Sequence, residues 1–225
     1  MQDNVKEYEA FKAGKVKMPA HLQIRDSEEG KLFKSKFMER VTRTPLWVPQ
    51  AMFFSTIIVF IYFNVQYQVY PKTLSIIMYV VGLLSWSFIE YLVHRFVYHT
   101  ETNSKTFLGV QHNAHGIHHQ HPRDKDRLAM PPLPGILLAS TLFGFFYLIM
   151  QSYAIIYFPG FLTGYIIYIS MHYAQHRIRK PIYKPWQKLW AHHSYHHYKD
   201  PYTAYGVSTR LWDYIFGTMP PKDFR

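Results

Sequence analysis

Charged side chains are missing from three long stretches of the chain. No Asp, Glu, Lys or Arg occurs from Leu46 to Pro71, from Thr73 to Ile89, or in the 49 residues from Leu128 to His176. A helix that crosses the hydrocarbon core of a bilayer needs about 20 mostly apolar residues, so the first two stretches each predict a span. The third is long enough for two passes with a turn near Phe158-Pro159-Gly160. Predicted spans at about 46–71, 73–92, 134–154 and 157–176 pair into two helical hairpins. The fold class expected is therefore an all-α integral membrane protein with four transmembrane helices, and residues 93–130 and 177–225 form a histidine-rich helical cap.

Before the first span, residues 1–45 are polar and read as an arm. MQDNVKEYEAFKAGK has no apolar stretch of the kind a cleavable signal carries. From Gly30 to Val41, the apolar positions Leu32, Phe33, Phe37, Met38 and Val41 fall at helical spacing. That predicts a helix lying on the membrane surface or packed on the cap. Residues 46–225 are expected to form a single membrane domain, and two hairpins each followed by a histidine-bearing segment give it a loose two-part organisation.

Charge placement orients the spans. Residues 1–45, 93–127 and 177–225 hold 10, 5 and 9 of the 25 Lys and Arg residues, which leaves only Lys72 elsewhere. By the positive-inside rule the cap side is cytoplasmic, and the net charge of +11 matches a face lying against anionic lipid. No recognised nucleic-acid motif accompanies the basic balance, so a nucleic-acid partner is not expected. Hydrophobic content of 48% and aromatic content of 18% exclude disorder over most of the chain. The mean hydropathy of −0.16 averages sharply separated blocks and hides them. Absence of cysteine removes disulfides, thiolate metal sites and cysteine nucleophiles.

The chemistry is carried by histidine. Of fourteen, all except His21 fall within residues 94–121 or 172–197, in the cap segments or at the cap ends of spans. His172 and His176 (HYAQH) are four apart and share a helix face. His115, His118 and His119 (HGIHH) and His193, His196 and His197 (HSYHH) repeat an H-x-x-H-H pattern, whose first residue falls between the other two on one face. His94 and His99 (HRFVYH) are five apart, about 140° around an ideal helix. They are expected to serve different ions, or to sit where the helix ends.

Ten imidazoles exceed what one ion accepts, so two metal sites with open positions fit the count. Nearby carboxylates are few (Glu90, Glu101, Asp124, Asp126, Asp200 and Asp213), and the Glu-x-x-His pairs of a ferritin-type centre are missing. His112, His121 and His192 are expected to support the ligands or lie at the surface.

HRFVYH, HGIHHQHPRDKDRLAMPP, HYAQH and HSYHH, followed by YGVSTRLWDYIFGT, resemble the fatty acid 2-hydroxylase branch of the membrane-bound fatty acid hydroxylase and sterol desaturase superfamily over about residues 31–220. The four-residue interval inside HRFVYH is similar to the acyl branch rather than to sterol oxidases, which usually have three. The resemblance implies a di-iron monooxygenase that uses O2 and two electrons to hydroxylate C2 of a long acyl chain, free, as a coenzyme A ester or in a ceramide-like lipid. A purified sample could carry zinc where iron works. An unactivated C–H bond offers no handle for acid-base chemistry, which is why a metal oxidant is required.

Two positions depart from the family's pattern. Ile169 stands where relatives commonly place Asp after the tyrosine equivalent to Tyr168, and Arg177 stands where a further histidine often follows the third box. Tyr168, Pro131 and Pro132 are the expected substrate contacts, the prolines because they interrupt helix where the cap enters the third span. Many relatives carry an N-terminal haem domain of the cytochrome b5 type, for which 45 residues are too few. Electrons are thus expected from a separate donor, of cytochrome b5 or ferredoxin type, and a bacterial inner membrane is favoured over the endoplasmic reticulum. Another superfamily oxidation (sterol oxidase, carotenoid hydroxylase or desaturase) is the alternative reaction. A histidine-rich membrane metal transporter is the alternative class, although it should place ligands within the spans.

Overall fold

The structure is a computed structural model that describes residues 4–16, 18–19, 22–25, 29–67 and 69–224; His21 lies outside the described residues. It is all-helical, with no strand among the described residues. Helices α1 (Asn4–Lys12) and α2 (Lys36–Thr42) precede two long apolar helices, α3 (Trp47–Gln66) and α4 (Lys72–Val93). The first cap segment carries α5 (Lys105–Gln111) and α6 (Ile117–Gln120). Then come α7 (Pro132–Met150), α8 (Ala154–Arg177), α9 (Lys184–Tyr198) and the short α10 (Leu211–Ile215).

Among the described residues, three stretches are long and apolar enough to cross a membrane: Trp47–Gln66, Lys72–Tyr98 and Lys125–Arg177. The last, 53 residues long, contains both α7 and α8. Helix α8 is the inner one, and it packs most extensively on α4 and next on α3. Phe53 and Ile57 of α3 meet Tyr157, Phe158, Phe161 and Leu162 of α8 in the core. Helix α7 buries only Gly135, and residues such as Leu148 (79% exposed) and Ile149 on α7, or Phe54 and Val65 on α3, face outward. Apolar surface of that extent matches lipid, not water.

The turn between α7 and α8 does not lie at Phe158-Pro159-Gly160, as expected from the sequence. It lies at Gln151–Tyr153, where Gln151 takes φ 53°. Pro159 sits inside α8 near its start, where its missing N–H gives up one helical hydrogen bond. Gly160 serves packing: a Cβ there would stand 1.9 Å from the Tyr79 carbonyl oxygen, and one at Gly82 would stand 2.1 Å from that of Tyr157. Both glycines are needed for the α4 and α8 backbones to touch.

These contacts come in equivalent pairs. Tyr157 and Gly160 lie 78 residues after Tyr79 and Gly82. Tyr79 hydrogen-bonds Thr163 (2.7 Å) while Tyr157 hydrogen-bonds Ser85 (2.5 Å), and Thr163 lies 78 residues after Ser85. The loose two-part organisation is therefore a pseudo-twofold arrangement of α4 and α8.

The arm packs on the cap. Tyr8 and Phe11 of α1 lie against Tyr202, Leu22 is buried, and Gly30 donates its amide to Asp124. Helix α2 is shorter than the predicted 30–41 segment. Glu39 pairs with Arg127, and Arg43 pairs with Asp124 at 2.9 Å. These ion pairs tie one face of α2 to the cap while Phe37, Met38 and Val41 stay exposed.

Candidate metal centre

All ten predicted histidines converge at the cap ends of α4 and α8. They form two groups of five: His94, His99, His115, His119 and His196 (site 1), and His118, His172, His176, His193 and His197 (site 2). Within each group the offered ligand atoms lie within 4.8 Å of one another, and neither group includes a carboxylate. Nine of the ten are buried and His176 is partly buried.

Local helix geometry explains the partition. His115 and His119 are four apart and turn to site 1, while His118, 100° away from its neighbour, turns to site 2. In α9 the assignment is exchanged: His193 and His197 serve site 2 and His196 serves site 1. Each H-x-x-H-H run thus straddles both sites instead of presenting one face to one ion. Adding 78 to 94, 115, 118 and 119 gives 172, 193, 196 and 197, so the pseudo-twofold relation continues through the ligands. The equivalent rings of His119 and His197 stack at 4.2 Å where the two sites meet.

His94 and His99 join the same group, so of the two expected alternatives, different ions or a place where the helix ends, the second is the one found. Residues 94–98 form a π-helical turn and His99 ends the helix. Bonding from i to i+5 widens the turn and brings the fifth residue back over the first. A second π-helical turn, His112–Gly116, leads into α6.

The groups fit metal ions. In site 1, Nε2 of His94 lies 3.0 Å from that of His115, and Nε2 of His196 lies 3.1 and 3.2 Å from those of His119 and His99. In site 2 the pairs His176–His193, His172–His176 and His118–His197 stand at 2.8, 3.2 and 3.2 Å. Two nitrogens held about 2.1 Å from one ion at right angles are about 3.0 Å apart. A proton can bridge two nitrogens but not five. Burial, reinforced by the neighbouring imidazoles, pushes His115, His118, His119, His193, His196 and His197 well below the ordinary histidine pKa. Burial thus favours the neutral form, the state in which imidazole binds metal.

Beside both groups lies a cleft of about 410 Å³ whose lining includes His115, His118 and His172. Its mostly apolar wall includes Leu128, Met130, Tyr98, Tyr165, Tyr168 and Ile169. The Tyr168 ring stacks over His172 and that of Tyr98 over His115. Pro131 and Pro134 line the cleft and Pro132 does not, since it follows Pro131 by one residue around the first turn of α7.

Among the remaining histidines, His192 bonds Asp213 at 3.0 Å, His121 is buried, and His112 lines a smaller cavity with His99. The sequence reading did not single out Tyr98 or the roles of Asp213 and Glu90. Tyr98 stands 78 residues before His176, and that repeat was the available signal.

The family model "Fatty acid hydroxylase" matches residues 79–218. Fatty acid 2-hydroxylase of Rattus norvegicus is 32% identical over 213 residues, covering 86% of this chain and 57% of the rat protein. The ceramide very long chain fatty acid hydroxylase of Schizosaccharomyces pombe is 34% identical, covering 92% and 59%. A dihydroceramide fatty acyl 2-hydroxylase of Arabidopsis thaliana is 31% identical, covering 89% and 84%. The chain thus spans little more than half the length of the rat and fission yeast relatives. A solved structure described as full-length scs7p, with only the hydroxylase domain visible, aligns with TM-score 0.81 and 29% identity over 90% of this chain and 77% of that one. These named relatives are animal, fungal and plant proteins, so the expected preference for a bacterial membrane gains no support.

Proposed function

Because the chain belongs to the fatty acid hydroxylase family, we propose that it is a membrane oxygenase that replaces one hydrogen on C2 of a long acyl chain by hydroxyl. The acyl chain is carried in a ceramide-like lipid or as a free fatty acid, the substrates named for its relatives. O2 and two electrons enter, with two protons, and water leaves with the hydroxylated lipid. The observation that carries this reading is the pair of all-histidine groups flanking one largely apolar cleft.

The ten histidines would hold two iron ions, one in each group of five. Bound there, the ions supply the O2 chemistry and the oxidant for an unactivated C–H bond, which no side chain in the cleft provides. Buried imidazoles keep water from the reacting carbon. Leu128, Met130 and Ile169 receive the chain next to its head, and the hydroxyls of Tyr98 and Tyr168 hydrogen-bond the acyl carbonyl so that C2 lies beside the two histidine groups. Pro131 and Pro134 shape the mouth at the start of α7, through which the tail reaches the bilayer. Moving that tail through water would cost about 0.8 kcal/mol per CH2.

Helices α3, α4, α7 and α8 each cross the membrane, the 24 cap-side cations face the cytoplasm, and the described part of the 1–45 arm docks on the 46–225 hydroxylase domain. Electrons come from a carrier of cytochrome b5 or ferredoxin type, drawn to the basic cap by electrostatic steering.

The test is lipid mass spectrometry on cells with and without the chain, combined with metal analysis of the purified protein. The expected result is new 2-hydroxy acyl lipids and two metal ions per chain. A hydroxyl at a fixed distance from the methyl end, or one ion or none in protein never exposed to chelator, would overturn it.

A further inference from the structure

Two buried carboxylates lie behind the histidines rather than among them, and both act on one irregular segment, residues 203–208. Four consecutive amides of that segment point at them. Tyr205 and Gly206 donate to Asp213 at 2.9 and 2.7 Å, and Val207 and Ser208 donate to Glu90 at 2.7 and 2.9 Å. Asp213, fully buried, also accepts from Thr218 Oγ1 (2.7 Å) and bonds His192 (3.0 Å). The Ser208 hydroxyl closes on Glu90 as well. Gly206 is required for this fit, since a Cβ would meet the Thr209 carbonyl oxygen at 2.0 Å and Asp213 Oδ2 at 2.8 Å.

With its amides committed to the carboxylates, the segment turns carbonyls toward the metal centre. His94 Nδ1 donates to the Tyr205 carbonyl at 2.5 Å, and His196 Nδ1 donates to that of Thr203 at 2.7 Å. An imidazole whose Nδ1–H is so held presents the Nε2 lone pair, in a fixed ring orientation, to an ion. His94 and His196 both belong to site 1. Nδ1 is buried without a hydrogen-bond partner in one site 1 ligand, His119, but in four of the five site 2 ligands, His118, His172, His193 and His197.

We propose that Asp213 and Glu90 are positioning residues that pre-form site 1 through residues 203–208, and that site 1 therefore holds its ion more firmly than site 2. This rests on the proposed function only in taking both groups as metal sites.

The test uses the purified full chain loaded with Co²⁺ and then challenged with excess EDTA, the release of cobalt being followed with time. In the wild type, two equivalents leave in two phases, the slower phase being absent from His119→Ala and the faster from His172→Ala. Asp213→Asn and Glu90→Gln accelerate the slow phase about 10- to 100-fold, the range found when the partner of a metal-bound histidine is removed, and leave the fast phase unchanged. Ser208→Ala, a milder change that keeps both carboxylates, accelerates the slow phase less and keeps the inference testable if the other variants do not fold. Equal rates for the two ions in the wild type, or acceleration of both phases together, would overturn the inference while leaving the two-metal reading intact. A wild type that binds fewer than two cobalt ions would overturn the two-metal reading, and this inference with it.

Discussion

The two histidine sites are drawn from the same pattern, 78 residues apart, yet neither is built by one half of the chain. Site 1 takes four ligands from residues 94–119 and one, His196, from α9; site 2 takes four from residues 172–197 and one, His118, from the first cap segment. The exchange follows from adjacent histidines in each H-x-x-H-H run diverging by about 100°. Consequently each site needs α6 and α9 held against each other over the cap ends of α4 and α8, and the packing of these helices belongs to the histidine centre as much as the side chains do. The halves differ in two places. HRFVYH needs a π-helical turn where HYAQH uses regular helix, and residues 203–208 support site 1 while no such segment bonds Nδ1 of four site 2 histidines.

The largest expected effect is on single ligands, one from each site. His119→Ala and His172→Ala should each retain one metal ion per chain and lose at least about 100-fold in hydroxylation, a loss beyond that of a supporting residue. Membrane insertion should be unchanged because it depends on the outward-facing apolar residues of the long helices, not on the buried histidines. Metal analysis of membrane-extracted protein checks this, and loss of both ions from either variant would mean that the sites do not load separately.

Metal removal should come next. A ligand present at about a thousand times its Kd stabilises the folded state by about 4 kcal/mol, so stripping each ion should lower the thermal midpoint in its own step. A single step on titration with chelator would merge the two sites into one binding unit.

Helix packing should give a smaller loss. Gly160→Ala and Gly82→Ala each force a Cβ against a carbonyl of the opposite helix and should destabilise by about 1–3 kcal/mol. Gly144→Ala in α7, with nothing within 4 Å of the added atom, should be near neutral. Thermal unfolding in one detergent compares the three, and a Gly144 variant as damaged as the others would break the pairing of α4 with α8.

How much of this was legible in the sequence depends on the kind of contact. The apolar helices were legible because charge is excluded from them, and the ten histidines because their spacing repeats. Phe158-Pro159-Gly160 was misread as a turn because proline and glycine are turn formers in isolation, whereas here the glycine lets two backbones meet. The division of ligands between sites was hidden by the π-helical turn and by the way α6 and α9 face each other, which decides to which site each of two adjacent histidines turns. Residues 203–208 were not legible at all, since their amides pair with Glu90 across 117 and 118 positions and side-chain type does not announce which carbonyl faces a histidine. The 78-residue offset is present in the histidine numbers and separates the two halves on sequence alone.

The smallest expected effect is the sharpest test of that offset. The Tyr79 hydroxyl meets Thr163 at 2.7 Å and that of Tyr157 meets Ser85 at 2.5 Å, each pairing a ring on one helix with a hydroxyl on the other. Ser85 also donates to the Gly82 carbonyl and Thr163 to that of Pro159, so each hydroxyl keeps a backbone partner if its tyrosine loses oxygen. Removing the phenol oxygen should then cost only the interhelical bond, about 0.6 kcal/mol in typical membrane proteins and at most about 1.7. Tyr79→Phe and Tyr157→Phe should therefore lower stability by equal amounts, measured by unfolding in one lipid or detergent. The double variant should lose the sum, because the two bonds share no atom. If one substitution were costly and its equivalent neutral, the symmetry would be confined to the backbone, and the polar pairs could not be what keeps the two helices in register beneath the histidines.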